Sequence, residues 1–170
     1  EQTNGEQSRK AGALEEAHGG TLFIDEIADM PRETQNKILR VLVDQTFLRS
    51  GGTAKVHVDV RIISSTARNL EEEIAEGRFR EDLYHRLSVI VLKVPALKER
   101  KEDIPLLVDK FLDDISDEHG DKKKAISNKA LETLQKHDWT GNIRELRNVV
   151  ERLVIMSGDE ITPDDVQKYL

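Results

Sequence analysis

The chain has 170 residues, 37% of them apolar and 35% charged, and acids outnumber bases 33 to 26 for a formal net charge of −7. That balance excludes bulk charge attraction as a way of gripping a nucleic-acid backbone. The absence of cysteine excludes disulfides, thiolate metal sites and thiol nucleophiles, and no apolar run approaches the roughly 20 residues of a membrane helix. The first residue is Glu1 and the first methionine Met30, which points to a piece of a longer, cytoplasmic protein without membrane association.

Residues 1–12 are polar and read as a flexible lead-in. Gly19-Gly20 precede the run Thr21-Leu22-Phe23-Ile24, which Asp25-Glu26 end abruptly. A short, β-rich run bounded by glycines predicts a strand buried on both faces. Met30-Pro31 opens a helix with Ile38, Leu39, Leu42 and Val43 at helical spacing. Phe47–Arg49 and Lys55–Val58 flank Ser50-Gly51-Gly52-Thr53, a hairpin with a glycine turn. The β-branched stretch from Val58 to Ser65 predicts a second buried strand. Asn69 caps a helix that Gly77 stops, and a short helix runs from Arg80 to Leu87. Val89-Ile90-Val91-Leu92 predicts a third buried strand, closed by Pro95.

Beyond Pro95 the pattern is helical only. Lys101 to Glu118 carries the stripe Ile104, Leu107, Val108, Phe111, Leu112 and Ile115. Lys122-Lys123-Lys124 reads as a solvated loop. Ser127 caps a helix with Ala130, Leu131 and Leu134. Trp139-Thr140-Gly141-Asn142 is a turn, a longer helix starts at Ile143, and Thr162-Pro163 opens a last one. Strand–helix alternation over residues 1–95 therefore predicts an α/β, parallel-sheet core, and residues 96–170 a small helical subdomain.

Ligands of parallel sheets collect outside the carboxyl ends of the strands. Asp25 and Glu26 stand at such an end, where the first acid can serve a Mg²⁺ shell and the second can orient an attacking water. The alternative is a pair of acids that merely face solvent. Ser64-Ser65-Thr66 stand at another strand end, as phosphate or water contacts or as a turn cap. Arg80 and Arg86 lie six residues apart and point in different directions. Guanidinium groups can stabilise a transferring phosphoryl group in trans; the plainer reading is surface ion pairs with Glu81 and Asp82. Arg144 lies in the first turn of its helix, where anions are favoured; the plainer reading is a surface pair with a nearby acid. The histidines show no metal-ligand spacing, and Trp139 reads as core.

Together these motifs resemble the AAA+ domain of bacterial enhancer-binding proteins, the NtrC-type activators of sigma-54 RNA polymerase, from about Gly12 to Leu170. Gly19 to Glu26 is similar to the family's Walker B, Phe79 to Leu87 to its arginine-finger segment, and Trp139 to Leu146 to its sensor II. Residues Arg9 to Ala17 look most like the NtrX-type response regulators. The resemblance implies a partial AAA+ nucleotide-binding core (1–95) followed by a lid (96–170). It implies ATP/ADP with Mg²⁺, the metal served by Asp25 through water, and a hydrolytic water positioned by Glu26. Thr66 would be sensor I, Arg80 and Arg86 trans-acting arginines, and Arg144 the sensor II arginine. The Phe47–Val58 hairpin would face the pore of a ring, usually a hexamer, that remodels the closed promoter complex.

Two departures shape the functional expectation. A Walker A needs G-x-x-x-x-G-K-[ST], and none of the ten glycines is followed by lysine. The chain is thus read as the later part of the domain, inactive alone, with an exposed sheet edge at which it self-associates. Residues 1–8 hold nothing like the G-A-F-T-G-A loop that contacts sigma-54. Either the chain begins after that motif or the loop is shortened; Asn4-Gly5 suits a tight turn and favours the shortened loop, which argues against direct remodelling of sigma-54. Thr140 stands where the family usually has proline. The alternative to an ATPase part is a non-catalytic oligomerisation or regulatory module. DNA contact is expected only through domains outside this chain, because Arg144 to Arg152 alternates with acids.

Overall fold

A computed structural model describes residues 11–49 and 53–170. Residues 1–10 of the expected 1–12 lead-in, the Asn4-Gly5 turn, and Ser50-Gly51-Gly52 of the expected hairpin turn lie outside the described residues. The chain divides into two compact units, Glu1–Leu92 and Lys93–Leu170.

The first unit runs α1 (Ala13–Glu16), β1 (Thr21–Ile24), α2 (Arg32–Asp44), β2 (Thr46–Leu48), β3 (Lys55–His57), β4 (Arg61–Ser64), α3 (Leu70–Ala75) and α4 (Glu81–Leu87). Strands β1 and β4 pair in parallel, Thr21 opposite Arg61 and Ile24 opposite Ser64. Strands β2 and β3 form the antiparallel hairpin, Phe47 opposite Val56. The Asn69 side chain accepts from Glu71 N and so satisfies an orphan donor at the start of α3. Gly77, at φ 71°, takes the left-handed conformation after α3, which costs a glycine little. The core gathers Ile27 and Ile38 with Phe79 and Leu83, against which Ile24, Ile62, Leu42 and Tyr84 pack.

Two strand expectations are corrected. The strands β1 and β4 are not buried on both faces: Leu22, Ile24 and Ile62 are half-buried, while Phe23 and its partner Ile63 stay 59% and 46% exposed. A two-stranded sheet has one face on this core, and apolar character on the other face is not burial. Val89–Leu92 forms no strand and its side chains are exposed. Its β-branched composition suits a ladder, but among the described residues no strand lies alongside to take its N–H and C=O groups.

The second unit runs α5 (Ile104–His119), β5 (Ala125–Ile126), α6 (Asn128–Lys136), α7 (Asn142–Met156), β6 (Glu160–Ile161) and α8 (Pro163–Tyr169). Its core joins Ile104, Val108, Leu112 and Ile115 of α5 to Leu146, Val150 and Leu153 of α7, with Ala130, Leu134, Trp139 and Val166. The region is not purely helical, since β5 and β6 make a two-residue parallel pairing. Ser127 caps α6 by accepting from Ala130 N, and Thr162 and Asp165 cap α8 reciprocally. The lysine run is only partly solvated. Lys123 Nζ pairs with Asp109 and Asp113 on α5 at 2.6 and 3.0 Å. Lys124 Nζ donates to Val154 O and Ser157 O, at 2.5 and 2.9 Å, closing the carbonyl end of α7.

Candidate functional site

Parallel pairing brings the carboxyl ends of β1 and β4 side by side. The ladder continues past both strands, Ser65 N donating to Ile24 O and Ile27 N to Ser65 O, at 3.0 and 2.9 Å. Asp25, Glu26, Ser65 and Thr66 thereby share one sheet end. Ser65 Oγ donates to Asp25 Oδ1 at 2.5 Å, which orients that carboxylate and leaves Oδ2 without a partner among the described residues. Glu26 has φ 47° and ψ 56°, the left-handed region, which is uncommon for a residue with a long side chain. This turn folds the chain into the single 3₁₀ turn Ile27–Asp29, whose Ile27 is 1% exposed and anchors the site to the core. Glu26 Oε2 accepts from Ala67 N at 3.1 Å across the sheet end. Both carboxylates are exposed.

Thr66 is half-buried, and its Oγ1 accepts from Arg68 N at 3.1 Å, a local turn bond. It is therefore Ser65, rather than Thr66, whose hydroxyl meets Asp25. The arginines stand at the N-cap of α4 and on it, and are not bonded to these acids. Arg80, at the N-cap of α4, forms a fork with Asp82: Nε donates to Oδ1 at 2.9 Å and Nη2 to Oδ2 at 2.6 Å. Its Nη1 donates to Asn36 Oδ1 at 2.6 Å. The same contact holds the Asp82 carboxyl below its ordinary range, with the Arg80 hydrogen bonds the largest cause. Arg86 is exposed and reaches Leu42 O through a long 3.4 Å contact.

In the second unit, Arg144 is the third residue of α7, exposed and without a polar partner among the described residues. The turn before it is tightly specified. Trp139 and Asn142 both adopt positive φ, 47° and 55°. Trp139 is 1% exposed and donates Nε1–H to Leu134 O at 2.8 Å, and Asn142 Oδ1 accepts from Leu97 N at 2.9 Å. Gly141 N donates to Glu145 Oε2 at 2.8 Å, and a Cβ at Gly141 would stand 2.9 Å from Glu145 Cβ. The glycine is needed for that close approach.

Sequence reasoning missed the residues that hold the Arg80 segment. Gln35 and Asn36 of α2 contact it, and Glu73 of α3, itself buried, pairs with Arg78 at 2.6 and 2.8 Å. A polar residue on the stripe of a predicted helix was the available signal, since Gln35 stands three positions before Ile38.

The acid pair can meet a hydrated cation. Among the described residues no three His, Cys, Asp or Glu side chains cluster as a metal site. Among the described residues no helix is long and apolar enough to cross a membrane.

An α/β unit with acids at its strand ends, followed by a helical unit, is an AAA+ arrangement. A RuvB mutant structure from Thermotoga maritima shares this fold at 21% identity, with a TM-score of 0.60, covering 92% of this chain and 46% of that one. Residues 3–93 match the model of the sigma-54 interaction domain and residues 98–170 that of an AAA+ ATPase lid domain. The chain belongs to the sigma-54 interaction domain family. It is 66% identical over 154 residues to the nitrogen assimilation regulatory protein NtrX of Azorhizobium caulinodans, covering 91% of this chain and 34% of that protein. Against the DNA-binding transcriptional regulator NtrC of Escherichia coli K12 it is 46% identical over 163 residues, covering 95% and 35%. The crystal structure of NtrX from Brucella abortus in complex with ATP has 61% identity and a TM-score of 0.86, covering 92% of this chain and 36% of that one. The chain thus spans about a third of the length of the curated relatives it matches.

Proposed function

We propose that this chain is part of the ATP-hydrolysing AAA+ domain of a cytoplasmic, sigma-54-type response regulator that works as a ring, with six subunits the expected number. What carries the reading is the sheet end, where Asp25, Glu26 and the Ser65 hydroxyl converge on two strands in register. Bound Mg-ATP would supply the γ-phosphoryl group under attack. Asp25, whose Oδ1 is held by Ser65, would serve the Mg²⁺ through water and so supply charge stabilisation for the phosphates. Glu26, with Oε2 steadied by Ala67 N, presents Oε1 to orient the attacking water and accept its proton. Thr66, at the same sheet end, is the residue that reads the phosphate or the water once its Oγ1 is turned from Arg68 N. Arg80 and Arg86 are offered to the neighbouring subunit, and Arg144 reads nucleotide phosphates from the lid.

The phosphate cradle is not in this sequence, because none of its glycines precedes lysine. Competence therefore belongs to the longer protein, and engagement of sigma-54 RNA polymerase is proposed for that protein only. The test is Glu26→Gln in the full-length protein. ATP turnover is expected to fall at least about 100-fold, the scale of a lost general base, with nucleotide binding retained. Unchanged turnover would overturn the assignment.

One observation favours the non-catalytic alternative. Arg80 is closed onto its own Asp82 and Asn36, so its charge is already answered within the chain. Under the catalytic reading Asp82→Ala leaves or raises turnover, since it frees the guanidinium. Under the alternative no variant of the acids or arginines changes turnover, because there is none.

A further inference from the structure

Gln35 is completely buried on α2, and its amide is spent on backbone groups. Nε2 donates to Met30 O at 2.8 Å and to Arg78 O at 3.0 Å, and Oε1 accepts from Arg80 N at 3.0 Å. Among the described residues none of these three groups has a backbone partner of its own. A buried amide costs free energy unless all its groups are satisfied, and a leucine would pack this helix position more cheaply. The amide is explained by what it grips: two of its three bonds bracket Phe79 and fix the backbone from which Arg80 projects. Asn36, the next residue, takes the guanidinium itself at 2.6 Å. The third bond, to Met30, ties the same helix to the end of the loop that follows Asp25-Glu26.

We infer that Gln35 is a positioning residue for Arg80, acting on the phosphoryl-transfer site of the neighbouring subunit by fixing the backbone that presents the arginine. The inference rests on the reading of Arg80 as an arginine supplied in trans. A methionine at position 35 keeps the volume of the side chain and abandons all three backbone groups. The backbone from which the arginine reaches its neighbour is then no longer fixed, and misplacement of a reacting group by about 1 Å can cost on the order of 100-fold in rate.

The experiment uses the full-length protein and subunit mixing. ATP turnover is measured for Gln35→Met alone and in equimolar mixtures with Glu26→Gln or with Arg80→Ala. Alone, Gln35→Met is expected to lower kcat at least about tenfold with KM little changed. Mixed with Glu26→Gln it regains turnover, up to about a quarter of the wild-type rate, because in a head-to-tail ring one neighbouring pair in four has the productive order. Mixed with Arg80→Ala it regains none, since both lack a competent arginine. Rescue by Arg80→Ala would mean that Gln35 serves its own subunit's acids through Met30, and would overturn the inference. Rescue by neither would overturn it as well, as mere damage to the fold. If Gln35→Met does not assemble, Gln35→Glu, which keeps the acceptor for Arg80 N and loses the donors, is read by the same mixtures. The pair Glu26→Gln with Arg80→Ala is the control. If these two fail to complement, the trans reading of Arg80 falls and the inference falls with it; if they complement and Gln35→Met does not, the inference falls alone.

Discussion

Two leucines on α5 differ only in where they point. Leu112 is 2% exposed inside the core of the second unit, and Leu106 is 74% exposed on the same helix. Both Leu→Ala changes alter helix propensity equally, so the difference between them isolates packing. At Leu112 the lost transfer free energy and the residual cavity are expected to cost about 3 kcal/mol, within the 2–5 observed for buried leucines. At Leu106 the change stays within about 0.5 kcal/mol. The single tryptophan, Trp139, is buried in the same cluster, so its fluorescence reports this unit. With a urea dependence of ~1 kcal/mol per M for so small a unit, Leu112→Ala lowers the fluorescence midpoint by about 3 M, and Leu106→Ala leaves it within about 0.5 M. Equal shifts for the two variants would refute the packing of α5 against α7 described above.

Gly141→Ala places a methyl 2.9 Å from Glu145 Cβ and is expected to destabilise the lid by about 1–3 kcal/mol as an overpacked contact; an unchanged thermal midpoint would refute that geometry. Ser127→Ala removes the cap of α6 and costs about 1 kcal/mol in the same urea assay, whereas Ser127→Thr costs less. The Glu73 carboxyl is held below its ordinary value of 4.5, chiefly by its hydrogen bonds from Arg78. A depressed folded-state pKa contributes stability that is present above the unfolded value and lost as pH falls through the folded one. Acid unfolding followed by circular dichroism should therefore begin below about pH 4.5 and be less steep in Glu73→Gln. An identical acid profile in the two proteins would show that this pair contributes nothing.

Much of the fold was legible because local chemistry and tertiary position agree. Asn69, Ser127 and Thr162 start their helices where cap chemistry predicts, each side chain accepting from a backbone N–H. The acid pair was legible as the abrupt end of an apolar run, and its place beside Ser65 and Thr66 follows from parallel pairing. Val89–Leu92 was misread because β-propensity measures fit to a pleated, paired surface, and pairing depends on a neighbour that composition cannot see. Phe23 and Ile63 were misread for the same reason, since a continuous apolar run does not say how many faces are covered. The contacts of Gln35 and Asn36 with the Arg80 segment bridge more than forty positions of sequence, so the polar residue on the stripe of α2 could be seen but its partner could not. The positive φ of Trp139 was equally hidden, because a tryptophan carries no signal for that conformation.

The three consecutive lysines at 122–124 make a graded chemical probe. An amine-reactive acylating reagent consumes the neutral amine, so each lysine reacts at a rate set by what holds its proton. Lys122 has no partner among the described residues and should be modified first. Lys123 is held protonated by Asp109 and Asp113, which raise its pKa, and should lag. Lys124, half-buried with Nζ donating to Val154 O and Ser157 O, should react only when the end of α7 lets go. Mass spectrometry of this one tripeptide would then time the opening of the lid's last helical turn from inside an assembly of any size, without a label introduced by design.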